Sequence, residues 1–240
     1  MSLTLLVSLP GSAFDELDLN RVLCHHYNVR IAGVIINKVM HDKLEQTRHY
    51  MGKALMKFWG IPLLGCIPDR PFLGCPALVD FEGLFNTRLL GGSDSRFQHY
   101  NMNDTTVVTT SLTRFLENLR LKPSRTLYIC HVTRDDLILG FMGEYQRRKA
   151  NGQSFEAALI ICGRKEKYQL SREIEDMMRG AEGAPMMVVG LSTHDAMAKI
   201  SSYTPKLNIE DTNRVSVAVK HYEQYIDFDA LLERTKTGAE

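Results

Sequence analysis

Residues 33–44 read GVIINKVMHDKL, and this stretch decides the fold class. Residues 33–36 form a short, mostly β-branched apolar run, as in a buried strand, and Asn37-Lys38 follows where such a strand would end. Asp42 and Glu45 stand three residues apart, a spacing that predicts the N-cap and capping-box partner of a new helix. In many α/β folds an Asn-Lys pair at the carboxyl end of a strand reads the base of ATP or GTP. The stretch therefore raises nucleotide binding as a hypothesis.

Strand-like runs alternate with helical patterns along the chain, which predicts α/β units with parallel sheets. Residues 90–104, LGGSDSRFQHYNMND, interrupt this alternation with Gly, Ser, Asn and Asp. We place a domain boundary there, which gives predicted domains over 1–92 and 105–240. The predicted strands are 3–8, 31–36, 62–66, 126–132, 157–162 and 186–190, and the predicted helices are 14–27, 42–58, 78–87, 106–119, 134–149, 171–180, 193–202 and 212–225.

Composition and charge argue against two classes of partner. The 240 residues are 44% hydrophobic and 24% charged, as in globular proteins, and the net charge is +1, too small to attract nucleic acid or anionic membrane. No apolar run approaches the roughly 20 residues that cross a bilayer. The amino terminus is apolar but lacks a basic region, so a core strand is favoured over a signal peptide. We expect neither a nucleic-acid nor a membrane partner.

Cysteine usage indicates a reducing compartment, so we expect a cytoplasmic protein. The number of cysteines is odd, and no CxxC spacing occurs. Cys24-His25-His26 has no second ligand cluster at zinc spacing, so no metal site is predicted and a helix end is favoured. The five cysteines are Cys24, Cys66, Cys75, Cys130 and Cys162.

The sequence contains no phosphate loop of the form GxxxxGK[ST], whose backbone N–H groups cradle nucleotide phosphates. Gly52-Lys53 is the only Gly-Lys pair, and no glycine stands five positions before it. We therefore expect no phosphoryl transfer by this chain alone and predict no catalytic residue. His131 and His194 follow predicted strands, where α/β folds form sites, but we favour ordinary residues at helix ends.

Asn37 allows two interpretations. A side-chain amide satisfies both hydrogen-bonding positions on the edge of adenine. Guanine-selective sites add an acidic residue two or three positions later, whereas this chain has Val39 and Met40 there. A purine at this place would be adenine. The alternative is an asparagine that ends its strand by bonding to the next turn, and local evidence favours it.

Three segments together resemble a known family. LLVSLPGSAFDELDLNRVL (5–23), GVIINKV (33–39) and IPLLGCIPDRPFLGCPAL (61–78) resemble the carboxyl half of the dethiobiotin-synthetase-like P-loop domain, in the version found at the amino terminus of long bacterial phosphate acetyltransferases. Residues 105–228 resemble the DRTGG domain that follows it. The implied fold class is α/β, with a partial P-loop-type parallel sheet of Rossmann-like, three-layer form and a second small DRTGG-like α/β domain.

The resemblance also implies a ligand site. Asn37, with Lys38 beside it, matches the base-contacting asparagine of that family. Pro68 and Asp69 match the loop that closes over the adenosine, and Gly11-Ser12 matches a glycine-containing loop after a strand. The ligand implied is an adenine nucleotide. No other cofactor is predicted.

Several family features are missing or altered. The half that carries the phosphate loop and the magnesium ligand should precede residue 3, and the acetyltransferase domain should follow residue 240. We therefore expect no acetyl transfer from this chain. The name-giving motifs appear as Asp135-Asp136 and Cys162-Gly163-Arg164, and a bulky Arg164 stands where a glycine would approach a ligand closely.

Two functions follow from these observations. The first is a non-catalytic regulatory or oligomerisation module that senses an adenine nucleotide or a related metabolite. The second is a truncated ATP-dependent, dethiobiotin-synthetase-like or phosphate-acetyltransferase-associated enzyme whose catalytic parts lie on missing or partner sequence. Three parallel strands without a central partner leave a sheet edge open, so a catalytic partner chain, a second copy or further residues should cover it. The resemblance implies a homodimer through the second domain.

Overall fold

The computed structural model describes residues 3–8, 13–121, 125–163, 169–180 and 182–236. Strands and helices interleave throughout, which confirms the α/β class. The chain forms two compact units, one from residues 1–71 with 213–240 and the other from residues 72–212. Among the described helices, none is both long and apolar enough to cross a membrane.

Strands and helices are numbered separately in chain order. The strands are β1 (Leu3–Ser8), β2 (Arg30–Val39), β3 (Leu63–Pro68), β4 (Leu89–Gly91), β5 (Thr106–Val107), β6 (Leu127–His131), β7 (Ala158–Cys162) and β8 (Met186–Val189). The helices are α1 (Ala13–His26), α2 (Leu44–Trp59), α3 (Leu78–Phe85), α4 (Leu112–Leu121), α5 (Asp135–Ala150), α6 (Arg172–Met178), α7 (Thr193–Ser201), α8 (Thr212–Glu223) and α9 (Phe228–Lys236).

The first unit is built on a parallel sheet with the order β1-β2-β3. One face packs Val34 and Ile36 against Leu17 of α1 and Leu55 of α2. The other face is covered from far along the chain, by side chains of α8, of α9 and of the turn between them. Ile35, Leu64 and Ile67 pack there against Tyr222, Tyr225, Ile226, Ala230 and Leu231. The unit therefore has the expected three layers.

The two edges of this sheet differ. At the outer edge of β3, Gly65 forms a bridge with Ile226, and the Asp227 backbone N–H donates to the Leu64 carbonyl at 2.7 Å. At the opposite edge, β1 pairs with β2 and has no second neighbour within the described residues. The open edge inferred from the sequence thus lies at β1.

The second unit contains a five-stranded sheet with the order β4-β8-β7-β6-β5. β4 is antiparallel to β8, and the other neighbours are parallel. One face packs against α4, α5 and α6 through residues such as Phe115, Phe141 and Met178, and the other against α3 and α7 through Phe81 and Ile200. Both faces of this sheet are covered.

The compact units divide the chain elsewhere than the predicted domains 1–92 and 105–240. β4 joins the second sheet through the pairing of Leu89 with Met187, and α3 contributes Leu78 to the second core. The Gly- and Ser-rich stretch 90–104 therefore lies inside the second unit. The carboxyl-terminal helices return to the first. A local composition change does not reveal such pairings, because they join residues far apart in sequence.

Several boundaries also differ locally. β2 continues to Val39 instead of ending at residue 36, and a short 3₁₀ turn, His41–Lys43, precedes α2. Asp42 is therefore not its N-cap; Lys43 occupies that position without a side-chain bond. A short strand, Thr106–Val107, stands where the sequence predicts a helix, and β4 and α9 have no counterpart among the predicted elements.

Candidate functional site

Four of the six predicted site residues lie at the carboxyl ends of two neighbouring strands. Asn37 and Lys38 belong to the last part of β2, and Pro68 and Asp69 to the end of β3 and the residue after it. Val39 pairs with Pro68, and the Asp69 backbone N–H donates to the Val39 carbonyl at 2.8 Å. The other two, Gly11 and Ser12, lie outside the described residues.

The Asn37-Lys38 pair forms an irregularity in the strand. The register with β3 shifts between Ile36 and Val39, and Lys38 has a φ of 59°, in the left-handed region. Asn37 Oδ1 accepts a hydrogen bond from the Lys38 backbone N–H at 2.9 Å, the local bond expected of an asparagine that ends a strand. Because an amide oxygen has two lone pairs, Oδ1 can accept one more bond, and Nδ2 has no partner within the described chain.

Pro68 has a structural contact that the sequence did not indicate. Its carbonyl is 2.9 Å from Nε2 of His221, a buried residue of α8 whose ring also contacts Tyr222 and Tyr225. The donor lies about 150 residues further along the chain, so no local pattern predicts this bond. Pro68 is itself buried, whereas Lys38 is exposed and Asp69 half-buried. Of the four, Asn37, Lys38 and Asp69 offer side chains to a ligand.

The residues that replace the DRTGG motifs have local roles. Asp135-Asp136 begins α5, and the Asp136 carboxylate accepts two bonds from Arg134, each 2.8 Å long. The bonds from the Arg134 guanidinium lower the pKa of Asp136 below its usual range. Arg164 lies outside the described residues. Asp136 is therefore held as a paired carboxylate at a helix start.

Nucleophile candidates at the ends of the second sheet are poorly suited to reaction. Cys162 ends β7, and burial raises the pKa of its thiol to about 12, so the thiol stays protonated near neutral pH. His131 Nδ1 contacts Thr133 Oγ1 at 2.8 Å, and His194 is exposed in the first turn of α7. Within the described ranges, no group of three or more His, Cys, Asp or Glu side chains is placed to hold a metal ion.

Comparison with known proteins finds phosphate acetyltransferases. The chain is 24% identical over 216 residues to the phosphate acetyltransferase of Pseudomonas putida. The aligned region covers 88% of this chain and 29% of the relative. The enzyme of Synechocystis is 24% identical over 211 residues, with coverage of 87% and 28%. That of Nitrosomonas europaea is 21% identical over 213 residues, with coverage of 86% and 28%. No family model and no solved structure matches the chain.

These similarities support a relation to phosphate acetyltransferases over most of the chain, in agreement with the resemblance seen in the sequence. The chain spans under a third of the length of these relatives. The assignment of a P-loop-derived domain and a DRTGG domain stays a prediction.

Proposed function

We propose that the chain is a non-catalytic oligomerisation module with a regulatory role, and that it associates with a second copy of itself through the open edge of the first unit. The observation that carries the proposal is the β1 edge. β1 reads LTLLVS, without the charged residues or proline that usually protect an edge strand from pairing. Val7, whose partner Ile35 is buried, is 59% exposed.

Helix α1 adds an exposed apolar surface to the first unit. Leu19, Val22 and Leu23 are spaced to share one side of the helix, and all three are exposed, Leu19 by 64%. In water such a row of apolar side chains marks a contact surface. We define Leu19, Val22 and Leu23 as the α1 patch.

The two ends of α1, with carboxylate acceptors at one and imidazole N–H donors at the other, favour a second copy as the occupant. The first turn carries Asp15 and Glu16, and the last turn carries His25 and His26. In a two-fold symmetric pair, two antiparallel α1 helices would place the acidic turn of one opposite the histidines of the other. The same surface then complements itself, as a symmetric dimer requires.

The regulatory part of the proposal is an adenine nucleotide or a related metabolite bound beside Asn37. Support comes from the pairing of β2 with β3, which brings Asn37, Lys38 and Asp69 to adjacent strand ends. The carboxyl ends of parallel strands are where α/β folds bind ligands. Asn37 retains donors and one lone pair for a purine edge.

The alternative is a truncated ATP-dependent, dethiobiotin-synthetase-like or phosphate-acetyltransferase-associated enzyme whose catalytic parts lie on missing or partner sequence. The observation that favours it is the length of the relatives, of which this chain spans under a third. Genomic DNA upstream of Met1 discriminates between the two: an in-frame GxxxxGK[ST] supports the enzyme fragment.

Sedimentation velocity tests the assembly role. We expect the wild-type chain to be a dimer at micromolar concentration, and Leu23→Glu in the α1 patch to be a monomer with an unchanged circular dichroism spectrum. Leu121→Glu is the matched control, because Leu121 is 75% exposed in the second unit. A wild-type monomer contradicts the proposal. So does a dimer that survives Leu23→Glu, which would place the interface elsewhere, as in the second-domain dimer implied by the resemblance.

A further inference from the structure

The second unit contains a cavity of about 340 Å³ that no sequence pattern indicated. This volume is within the range of small-molecule sites, roughly 300–1,000 Å³. Its lining side chains come from widely separated positions between residues 72 and 156, and all belong to the second unit. The lining includes Phe72, Cys75, His99, Asp104, Arg125 and Glu156.

His99 is the buried polar group of this cavity. Only 5% of the residue is exposed, and its Nε2 is 2.6 Å from Oδ2 of Asp211, which is buried as well. A carboxylate accepts, so Nε2 carries the proton of this bond, and Nδ1 is the ring nitrogen left for another partner. Within the described residues nothing bonds to Nδ1. The pair therefore fixes a ring that lines the cavity and leaves Nδ1 for a ligand.

Tyr100, the next residue in the chain, carries a second unsatisfied group but does not itself line the cavity. Its side chain is fully buried, and its hydroxyl has no hydrogen-bond partner among the described residues. Burial raises the pKa of Tyr100, and the charges that act on the hydroxyl are those of Arg125 and Glu156, both in the cavity wall. A buried hydroxyl without a partner is unfavourable, so Tyr100 leaves a polar group unsatisfied in this part of the second unit.

The charges around the cavity select against anions. Asp104 and Glu156 line it, and Asp211 is bonded to His99 on the side away from Nδ1, whereas Arg125 contributes a guanidinium to the lining. Arg125 is also close to Glu156, at 3.8 Å. A phosphate or carboxylate group would meet more negative than positive charge here.

Phe72 provides a flat apolar wall. Its ring packs edge-to-face on the His99 ring, with the centroids 4.7 Å apart. Aromatic side chains favour planar ring systems through stacked or edge contacts. A ligand that combines a planar ring with an N–H donor and an acceptor thus matches the Phe72 ring, the His99 imidazole and the Arg125 guanidinium.

We propose that this cavity is a binding site for an uncharged nitrogen heterocycle of about nucleoside size, which donates an N–H to His99 Nδ1 and offers an acceptor to Arg125. Asp211 acts as a positioning residue, because it holds His99 in the tautomer that accepts. The site is separate from the assembly role and from the strand ends beside Asn37.

Isothermal titration calorimetry on the full chain tests the site with adenosine, AMP and ATP as probes. We expect adenosine to bind about tenfold or more tightly than ATP, because only ATP brings phosphates to the acidic wall. Cys75→Phe fills the cavity and should weaken adenosine binding by about tenfold or more. Leu139→Ala, at an exposed position of α5 in the same unit, is the matched control and should leave adenosine binding unchanged.

A second readout, which begins with the wild-type chain, guards against misfolding of the Cys75 variant. In ¹⁵N spectra of the wild-type imidazoles, adenosine should shift the His99 Nδ1 resonance, and Asp211→Asn should remove that response. No adenosine binding at about 10 mM overturns the inference, as does binding that Asn37→Ala abolishes and Cys75→Phe leaves intact. The latter result would support the ligand site beside Asn37. Sedimentation tests the assembly role separately, so either proposal can fail alone.

Discussion

The two units bury their sheets in different ways. In the second unit both faces of a five-stranded sheet are covered by helices that lie close to their strands in sequence. In the first unit a three-stranded sheet is covered on one face by its own crossover helices, and on the other by the returning segment 222–231. Its β1 edge has no second neighbour among the described residues, and the α1 patch is exposed.

Parallel sheets are stable when both faces are shielded from water. The second unit meets this condition within one continuous stretch of chain. The first unit meets it only after the carboxyl-terminal helices return, and its β1 edge still lacks a described neighbour. The second unit therefore has the arrangement of an autonomous folding unit, whereas the first relies on distant segments of the chain.

The largest expected effect is in the core of the second unit. Phe141 is fully buried against Phe115 and Phe155, and Phe141→Ala should lower the free energy of unfolding by about 3–5 kcal/mol. Trp59, the only tryptophan, lies in the first unit, so its fluorescence follows that unit alone. We expect Phe141→Ala to move the urea midpoint measured by circular dichroism to a lower concentration. The midpoint measured by Trp59 fluorescence should not change.

Leu139→Ala is the control for this prediction, because Leu139 is exposed on the same helix and should change little. A Trp59 transition that moves together with the circular dichroism transition would show that the two units unfold as one. That result would contradict the independent folding of the second unit.

A smaller effect is expected at Glu144, which is buried in α5. Bonds from Arg147, and also from Arg120 and Arg148, hold the pKa of Glu144 at about 2. Its ordinary value is 4.5. A lowered folded-state pKa stabilises the fold above the unfolded pKa, and this contribution is lost as the pH falls from about 4.5 towards 2.

Glu144→Gln should therefore cost about 2 kcal/mol at neutral pH, and the difference from wild type should shrink over that acidic range. Chemical unfolding followed by circular dichroism at a series of pH values measures both. Glu117→Gln, at an exposed pair with Arg114, is the control and should have almost no effect. If the difference in unfolding free energy between wild type and Glu144→Gln stays the same at low pH, the lowered pKa of Glu144 is contradicted.

The smallest expected effect concerns His221, and it tests whether α8 stabilises the sheet of the first unit. His221→Phe keeps a ring of similar size beside Tyr222 and Tyr225 but removes the donor to the buried Pro68 carbonyl. We expect a loss of about 1–2 kcal/mol, detected in the Trp59 transition. His194→Phe, at an exposed site of α7, should leave that transition unchanged. If His221→Phe also leaves it unchanged, α8 does not stabilise the first sheet as described.

Hydrophobic patterns located several long strands and helices correctly. The residues of a buried strand or an amphipathic helix themselves carry the periodic pattern that predicts it. The strands at 157–162 and 186–190 and the helix at 134–149 agree with β7, β8 and α5 to within one residue at each end. The two-residue β5 and three-residue β4 were missed, since segments of that length exist only through their partners.

Site residues, like short strands, are hard to predict from sequence when they depend on contacts between distant segments. Asn37 and Lys38 were predicted because they follow a recognisable strand, and Pro68 and Asp69 because the family resemblance implies them. The pairing of β2 with β3 brings these four residues to adjacent strand ends. His99 and Asp211 are 112 residues apart, and neither stands in a motif. His221 likewise reaches Pro68 from a distant helix.

By itself, then, the sequence determined the α/β class, the long strands and helices, and the lack of a phosphate loop in these 240 residues. These properties depend on residue types and short-range periodicity. Only the tertiary structure decided that the second sheet recruits residues 89–91, that the first is covered by α8 and α9, and that His99 meets Asp211 beside a cavity. Such contacts depend on which distant segments pack together, and local residue patterns do not predict that packing.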